Sequence, residues 1–178
     1  FSNKEMLALV KHYMPELFVS ELQKLKRVAS RLASGIMTRL AEACRASRTE
    51  QERCDAMQSF ADHYPYIQFI TLTDAHGKLL QAVVTDKANT DKYGHLPDPG
   101  YDYSDRVWFK MPMQDGGLHV TDLYQSQYTG ALILSVSQAV TDEKDEIVGV
   151  LCGDIQLEEI LKHTEDLEAE EKNADSQL

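Results

Sequence analysis

Between Tyr101 and Tyr124 the chain concentrates residue types suited to holding a small polar molecule. It reads Tyr101-Asp-Tyr-Ser-Asp-Arg106-Val-Trp108-Phe109, breaks at Gly116-Gly117, and resumes as a short β-like run ending at Leu123-Tyr124. Arginine presents a planar fork of donors that matches a carboxylate bidentately. An aromatic ring beside it excludes water and so strengthens that pairing. Far downstream, Asp154 follows Val148-Gly-Val-Leu-Cys-Gly153. A carboxylate at the end of such an apolar strand lies near the core edge and needs a partner. A ligand ammonium would serve, and so would Arg106 in a plain structural ion pair.

Reaction chemistry is not written into the chain. Ser135 and Ser137 lack the G-x-S-x-G surround of a hydrolase, and no Gly-rich loop of phosphate-cradling type occurs. His95, Asp98 and Asp102 could offer metal ligands, but in a turn-rich loop they read as solvated groups. His119, next to a strand, reads as cross-strand packing. The expectation is therefore no enzyme, no cofactor and no metal.

The 178 residues are enough for one domain with a core of its own, or for such a domain plus a long helix, and 43% are apolar. The formal charge of −11 argues against nucleic acid and against an anionic membrane surface. Part of that charge is local, in the acidic run from Asp166 to Asp175. Cys44, Cys54 and Cys152 lack CxxC spacing and read as packed free thiols, with a Cys44–Cys54 pair the alternative. No apolar run approaches the ~20 residues of a membrane span. The chain starts at Phe1, so a portion of a longer protein is expected, with flanking segments outside it.

Several elements must position the polar residues. From Lys4 to about Cys44 the apolar residues keep helical spacing, interrupted by Pro15, which is a kink or the first turn of a new helix. Leu22, Leu25, Ala29, Leu32, Ile36, Leu40 and Ala43 form a stripe close to a 3.5-residue repeat. A helix of about 40 residues would run to about 60 Å, so the stripe is expected to pair two copies or to lie along the sheet. Thr49 with Glu52 makes a capping-box pattern for a second helix to His63. From Tyr66 the period becomes two, with a hairpin turn at Asp74 to Gly77 and a partner strand Lys78 to Thr85. A polar loop from Asp86 to Tyr103 follows, its first part a natural lid, and Ser104 reads as the N-cap of a short helix to Met113 broken by proline. Strands are expected at Leu118 to Tyr124, Ala131 to Val140 and Ile147 to Ile155, with a helix from Leu157. This order predicts an α+β domain, an antiparallel sheet of about five strands with helices on one side. The expected division is a helical region over 1–63, a sensor module over 64–156, and an exit helix with acidic tail over 157–178.

Three pieces carry a resemblance to a known family. They are Tyr103-Ser-Asp-Arg-Val-Trp-Phe-Lys110; His119-Val-Thr-Asp-Leu-Tyr-Gln-Ser126 with Thr129-Gly-Ala-Leu-Ile-Leu-Ser-Val-Ser137; and Glu146-Ile-Val-Gly-Val-Leu-Cys-Gly-Asp-Ile155. The chain resembles a Cache sensor domain, the PAS-like, PDC-type module of bacterial chemoreceptors, histidine kinases and diguanylate cyclases. The resemblance mainly concerns two-module members, and this chain has room for a single PAS-like module behind a long N-terminal helix. The resemblance implies the extracytoplasmic, periplasmic part of an inner-membrane protein, with a cytoplasmic location as the alternative that the cysteines leave open.

The amino-acid-binding members of that family supply residue roles. By resemblance, Arg106 and Trp108 would hold a ligand carboxylate, with Tyr101 upstream, while Tyr124 and Asp154 would hold an α-ammonium. Ser126 stands where an aspartate often shares the amine, and Phe109 where a ring with a hydroxyl is frequent. The function expected is a sensor that binds an amino acid or small carboxylate and signals to an output domain outside this chain, as a homodimer. The alternative is a ligand-free dimerisation or partner-binding module with the same fold.

Overall fold

The computed structural model describes residues 3–64, 66–84 and 96–163. Pro15 divides the expected long helix in two. It occupies the first turn of α2 (Pro15–Ala46), where a missing N–H leaves no bond unmade, and α1 (Asn3–Tyr13) precedes it. In α3 (Glu50–His63) the Thr49 hydroxyl accepts from the Glu52 N–H at 3.1 Å. The Glu52 carboxylate accepts from the Arg48 N–H at 2.6 Å, one residue before the position a reciprocal capping box would use.

The strands are β1 (Ile67–Asp74), β2 (Leu79–Val84), β3 (Leu118–Val120), β4 (Tyr124–Gln125), β5 (Leu132–Thr141) and β6 (Ile147–Gln156), with α4 (Val107–Asp115) between β2 and β3. Residues 157–163 are helical. All pairings are antiparallel, in the order β2-β1-β6-β5-β3, with β4 also on β5. The last strand therefore lies in the middle of the sheet.

Period-two alternation gives the sheet two different faces. Leu134, Val136, Leu151 and Ile155 pack with Leu25, Ala29, Met37 and Leu40 of α2. Burying each large side chain of this kind contributes roughly 1.5–3 kcal/mol. Val150 and Cys152 point the other way and pack with Tyr103, Trp108 and Phe109. Helices thus cover both faces, α4 lying opposite α2, where the sequence placed them on one side.

The apolar stripe of α2 is core from Leu25 onward: Leu25, Ala29, Ile36 and Leu40 are all buried against the sheet. In α1 and the first turns of α2, by contrast, Met6, Leu9, Tyr13, Met14, Leu17 and Val19 are exposed.

Three local expectations are corrected. The segment Leu118 to Tyr124 is two strands, because at Thr121 the side-chain oxygen takes the Ser135 N–H at 3.0 Å and interrupts the ladder. The short helix starts at Val107, not Ser104, because the Asp102 carboxylate takes the Ser104 N–H at 2.9 Å in a separate turn. It also runs through Pro112 to Asp115 and stops at Gly116, which is left-handed at φ 73°. The hairpin turn at Gly77 has the expected positive φ of 83°, and the thiols of Cys44, Cys54 and Cys152 are free. Residues 85–95, which include His95 and most of the expected lid, and the acidic run 166–175 lie outside the described residues.

Candidate functional site

The site is assembled where the chain returns to the β1–β2 hairpin. The Leu79 N–H donates to the Tyr101 carbonyl at 2.8 Å, and the Tyr103 N–H donates to the Gly77 carbonyl at 2.8 Å. A Cβ on Gly77 would fall 2.7 Å from the Ser104 backbone, so glycine is required for this approach as well as for its φ. The anchored segment turns through Arg106, whose N–H donates to the Tyr103 carbonyl at 3.0 Å, and enters α4. The turn sets Tyr103 and Trp108 against each other, ring centroids 5.2 Å apart, over the Val150–Cys152 face of β6.

Above that face is a small cavity of about 20 Å³, room for a water or two. It is lined by Arg106, Trp108, Tyr124, Ser126 and Asp154, which the sequence singled out, and by Tyr103, Gln127, Tyr128, Thr71, Ile133 and Cys152, which it did not. Tyr101 lies outside the cavity: its ring is 47% exposed and leans on Tyr103 at 4.8 Å. The buried phenol, 5% exposed, is that of Tyr103.

One cation and one anion face this space. The Arg106 guanidinium lies 5.5 Å from the Tyr124 ring centroid, a cation–π contact. Among the described residues it makes no ion pair with Asp154, although its charge still favours the ionised carboxylate. Ser135 Oγ donates to Asp154 Oδ1 at 2.6 Å, and the Cys152 thiol reaches the same oxygen at 3.6 Å. With its proton on Asp154, Ser135 accepts from the Tyr124 hydroxyl. The relay Tyr124–Ser135–Asp154 leaves Oδ2 without a protein partner among the described residues.

Burial outweighs these contacts and pushes the Asp154 carboxyl up to about 6, against the opposing pull of Ser135, Cys152 and Arg106. Burial also raises the phenols of Tyr124 and Tyr103, each helped by the nearby Asp154 charge. Both phenols are neutral donors at ordinary pH.

Tyr103 and Tyr128 join their hydroxyls across the cavity, and Gln127 Nε2 donates to Tyr128 at 2.8 Å. Ser126 is buried and turned to its own loop, its Oγ accepting from the N–H groups of Tyr128 at 3.2 Å and Thr129 at 3.3 Å. Ser126 therefore shapes the turn that carries Tyr128. Elsewhere, His119 lies opposite Ser137 across β3 and β5 and its ring also meets the Asp115 carboxylate at 2.8 Å. Asp102 pairs with Lys78 at 2.7 Å.

Sequence reasoning missed Ser135 because a serine inside an apolar strand looks like filler. It missed Tyr128 because nothing local shows a turn folding back over β1. The available signal was parity: Ser135 pairs directly with Asp154 across β5 and β6.

Comparison with known proteins adds context to this geometry. The family of the methyl-accepting chemotaxis protein-like first PDC sensor domain matches residues 56–162. Among solved structures, the ligand-binding domain of a Campylobacter jejuni chemoreceptor in complex with L-norvaline superposes with TM-score 0.59 at 16% identity, over 80% of this chain and 58% of that one. A Pseudomonas aeruginosa amino-acid chemoreceptor domain in complex with GABA gives 0.57 at 21% identity, over 85% and 66%. A Pseudomonas fluorescens chemoreceptor domain in complex with L-serine gives 0.58 at 19%, over 86% and 62%. At these identities the likeness is one of fold. A citrate (Re)-synthase of Syntrophus aciditrophicus is 39% identical over 169 residues, spanning 92% of this chain but 26% of the relative's length.

Proposed function

Because the chain belongs to the family of methyl-accepting chemotaxis protein-like PDC sensor domains, we propose that its cavity binds a small zwitterion, an amino acid, between Arg106 and Asp154. The observation that carries this reading is that opposite charges face one cavity without closing into an ion pair. A dehydrated, unmatched carboxylate is costly, and a ligand ammonium on Oδ2 would offset that cost. The guanidinium would take the ligand carboxylate in its fork, with Trp108 and Tyr103 excluding water. The ammonium would have Asp154 and the Tyr124 hydroxyl within the same wall. Ser126 supports the turn in this arrangement and does not replace a second carboxylate, so a simple carboxylate held by Arg106 is the second ligand class. The free space is that of a water or two, so the Tyr103–Tyr128 contact must open for any amino acid, and small side chains need the least opening.

Binding would change the packing of α4 and the 126–130 turn on the sheet. Strand β6, continuous with helix 157–163, would carry that change to an output domain outside this chain. The exposed apolar groups of α1 and the first turns of α2 support pairing of two copies there. We assign no reaction to this domain.

One observation favours a second reading of the output. The 39% identity to a citrate synthase covers nearly all of this chain and only a quarter of that protein. The domain would then serve as the regulatory portion of an enzyme, in the cytoplasm, where three free thiols persist. The chemoreceptor likeness supports the periplasmic alternative.

The test is a matched set of probes. L-alanine should raise the thermal midpoint, whereas propionate and ethylamine, each keeping one charged end, should do so weakly. A folded-state ligand at about 100 times its Kd contributes roughly 2.7 kcal/mol. Arg106→Ala and Asp154→Ala should each remove the alanine response without unfolding the domain. A normal alanine response in both variants would place the site elsewhere.

A further inference from the structure

Toward the β5–β6 hairpin, the α2–α3 turn borders a second, half-open cavity of about 330 Å³. Leu72, Leu80, Val140 and Val148 contribute apolar walls, and Arg45, Arg53, Asp142 and Glu143 contribute charge. Arg53 enters from the first turns of α3, and its Nε is buried without a hydrogen-bond partner. The adjacent thiol of Cys44 is pushed up to about 11 by burial and drawn back by the Arg53 charge, so the guanidinium adjoins a dehydrated wall.

The acidic groups nearby are engaged or solvated. Asp142 Oδ1 accepts from the Lys144 N–H at 2.8 Å and the Glu146 N–H at 3.0 Å, closing its own hairpin. Glu143 is exposed. Arg45 reaches Asp145 at 3.5 Å in an outward-facing pair. Within half-buried Arg53, Nε is left as a buried donor with no acceptor, an arrangement costly enough in folded proteins to require an explanation. The space beside it is ample, with apolar walls and charged groups along part of its lining. That is the usual make-up of a small-molecule pocket.

We propose that this cavity is a second ligand site, taking a small monocarboxylate with a short apolar tail. Arg53 holds the carboxylate, and Leu72, Leu80, Val140 and Val148 receive the tail. A ligand there ties the start of α3 to the β5–β6 hairpin on the face opposite the two-charge cavity. The two sites are therefore chemically and spatially separate.

The experiment uses the whole chain carrying Arg106→Ala, which silences carboxylate binding at the first site. Sodium butyrate is titrated by calorimetry and thermal shift, beside sodium chloride at matched ionic strength. Butyrate should raise the midpoint where chloride does not. Adding Arg53→Met should weaken butyrate binding by about tenfold or more. The same change should leave the ligand-free midpoint level or higher, because a buried donor without an acceptor has been removed. Equal stabilisation by chloride, no butyrate response, or a response that survives Arg53→Met overturns the proposal. A lowered ligand-free midpoint in Arg53→Met does so too, since it would make Arg53 a structural residue. A lost alanine response in Arg106→Ala alongside a retained butyrate response separates this site from the first.

Discussion

Toward α2, strand β6 presents Leu151, Gly153 and Ile155; toward α4 it presents Val150, Cys152 and Asp154. The two rows share one backbone and one set of ladder bonds. On the α2 side the fit is close enough that a Cβ on Gly153 would lie 3.3 Å from Met37 Sδ. On the α4 side the sheet buries Ser135 and Ser137, leaves Ser137 Oγ without a partner, and carries the half-buried Asp154. The difference teaches that alternation can give one strand two tasks. Close packing on one face supplies stability, and the other face can then hold groups that lower it.

The largest effect expected from breaking this contrast is on the packed face. Leu40→Ala or Leu134→Ala should cost about 2–5 kcal/mol in urea unfolding, with alanine affinity of the folded protein unchanged. An equal loss of affinity would mean the faces are not independent.

On the polar face, Asp154→Asn should do the reverse. The folded carboxyl titrates near 6, above its unfolded value of about 3.9. Between those pH values the unfolded chain releases a proton that the folded chain keeps, so stability falls as pH rises and stays low above 6. The wild type should therefore lose up to about 3 kcal/mol over that window relative to Asp154→Asn. Paired melts from pH 4 to pH 7 read the difference directly. A variant less stable than wild type near pH 7 would sink the idea that Asp154 strains the empty domain.

The same titration governs binding. Alanine affinity should drop by about tenfold per pH unit below 6, as the carboxylate that faces the ammonium is protonated. A flat profile would leave Arg106 as the sole anchor. Arg106→Lys, keeping charge but losing the fork, should weaken binding by about tenfold. The smallest effect is expected at Tyr101→Phe, below about twofold, since that ring lies outside the cavity and an exposed hydroxyl contributes little.

Much of the fold was legible because its signals are local. The switch from helical to alternating period at Tyr66, the Thr49 cap and the Gly77 turn each depend on a few neighbouring residues. The start of α4 was misplaced because Ser104 and Asp105 have cap chemistry, whereas the Asp102 side chain holds Ser104 in a different turn. Tyr101 and Tyr103 are indistinguishable by type and two residues apart. Only the bonds from the 101–103 segment to the Gly77 hairpin decide which ring is buried.

By itself, then, the sequence determined an α+β sensor fold and the family, and it singled out Arg106, Trp108, Tyr124 and Asp154 as candidates. Periodicity and short motifs are properties of neighbours along the chain. The tertiary structure alone decided that Ser135 and Tyr124 support Asp154, that Tyr128 closes on Tyr103, and that Arg106 and Asp154 share a cavity as separate charges. Those relations join β1, β4, β5, β6 and the α4 turn across long stretches of chain. Burial and relative placement are fixed only when the sheet closes.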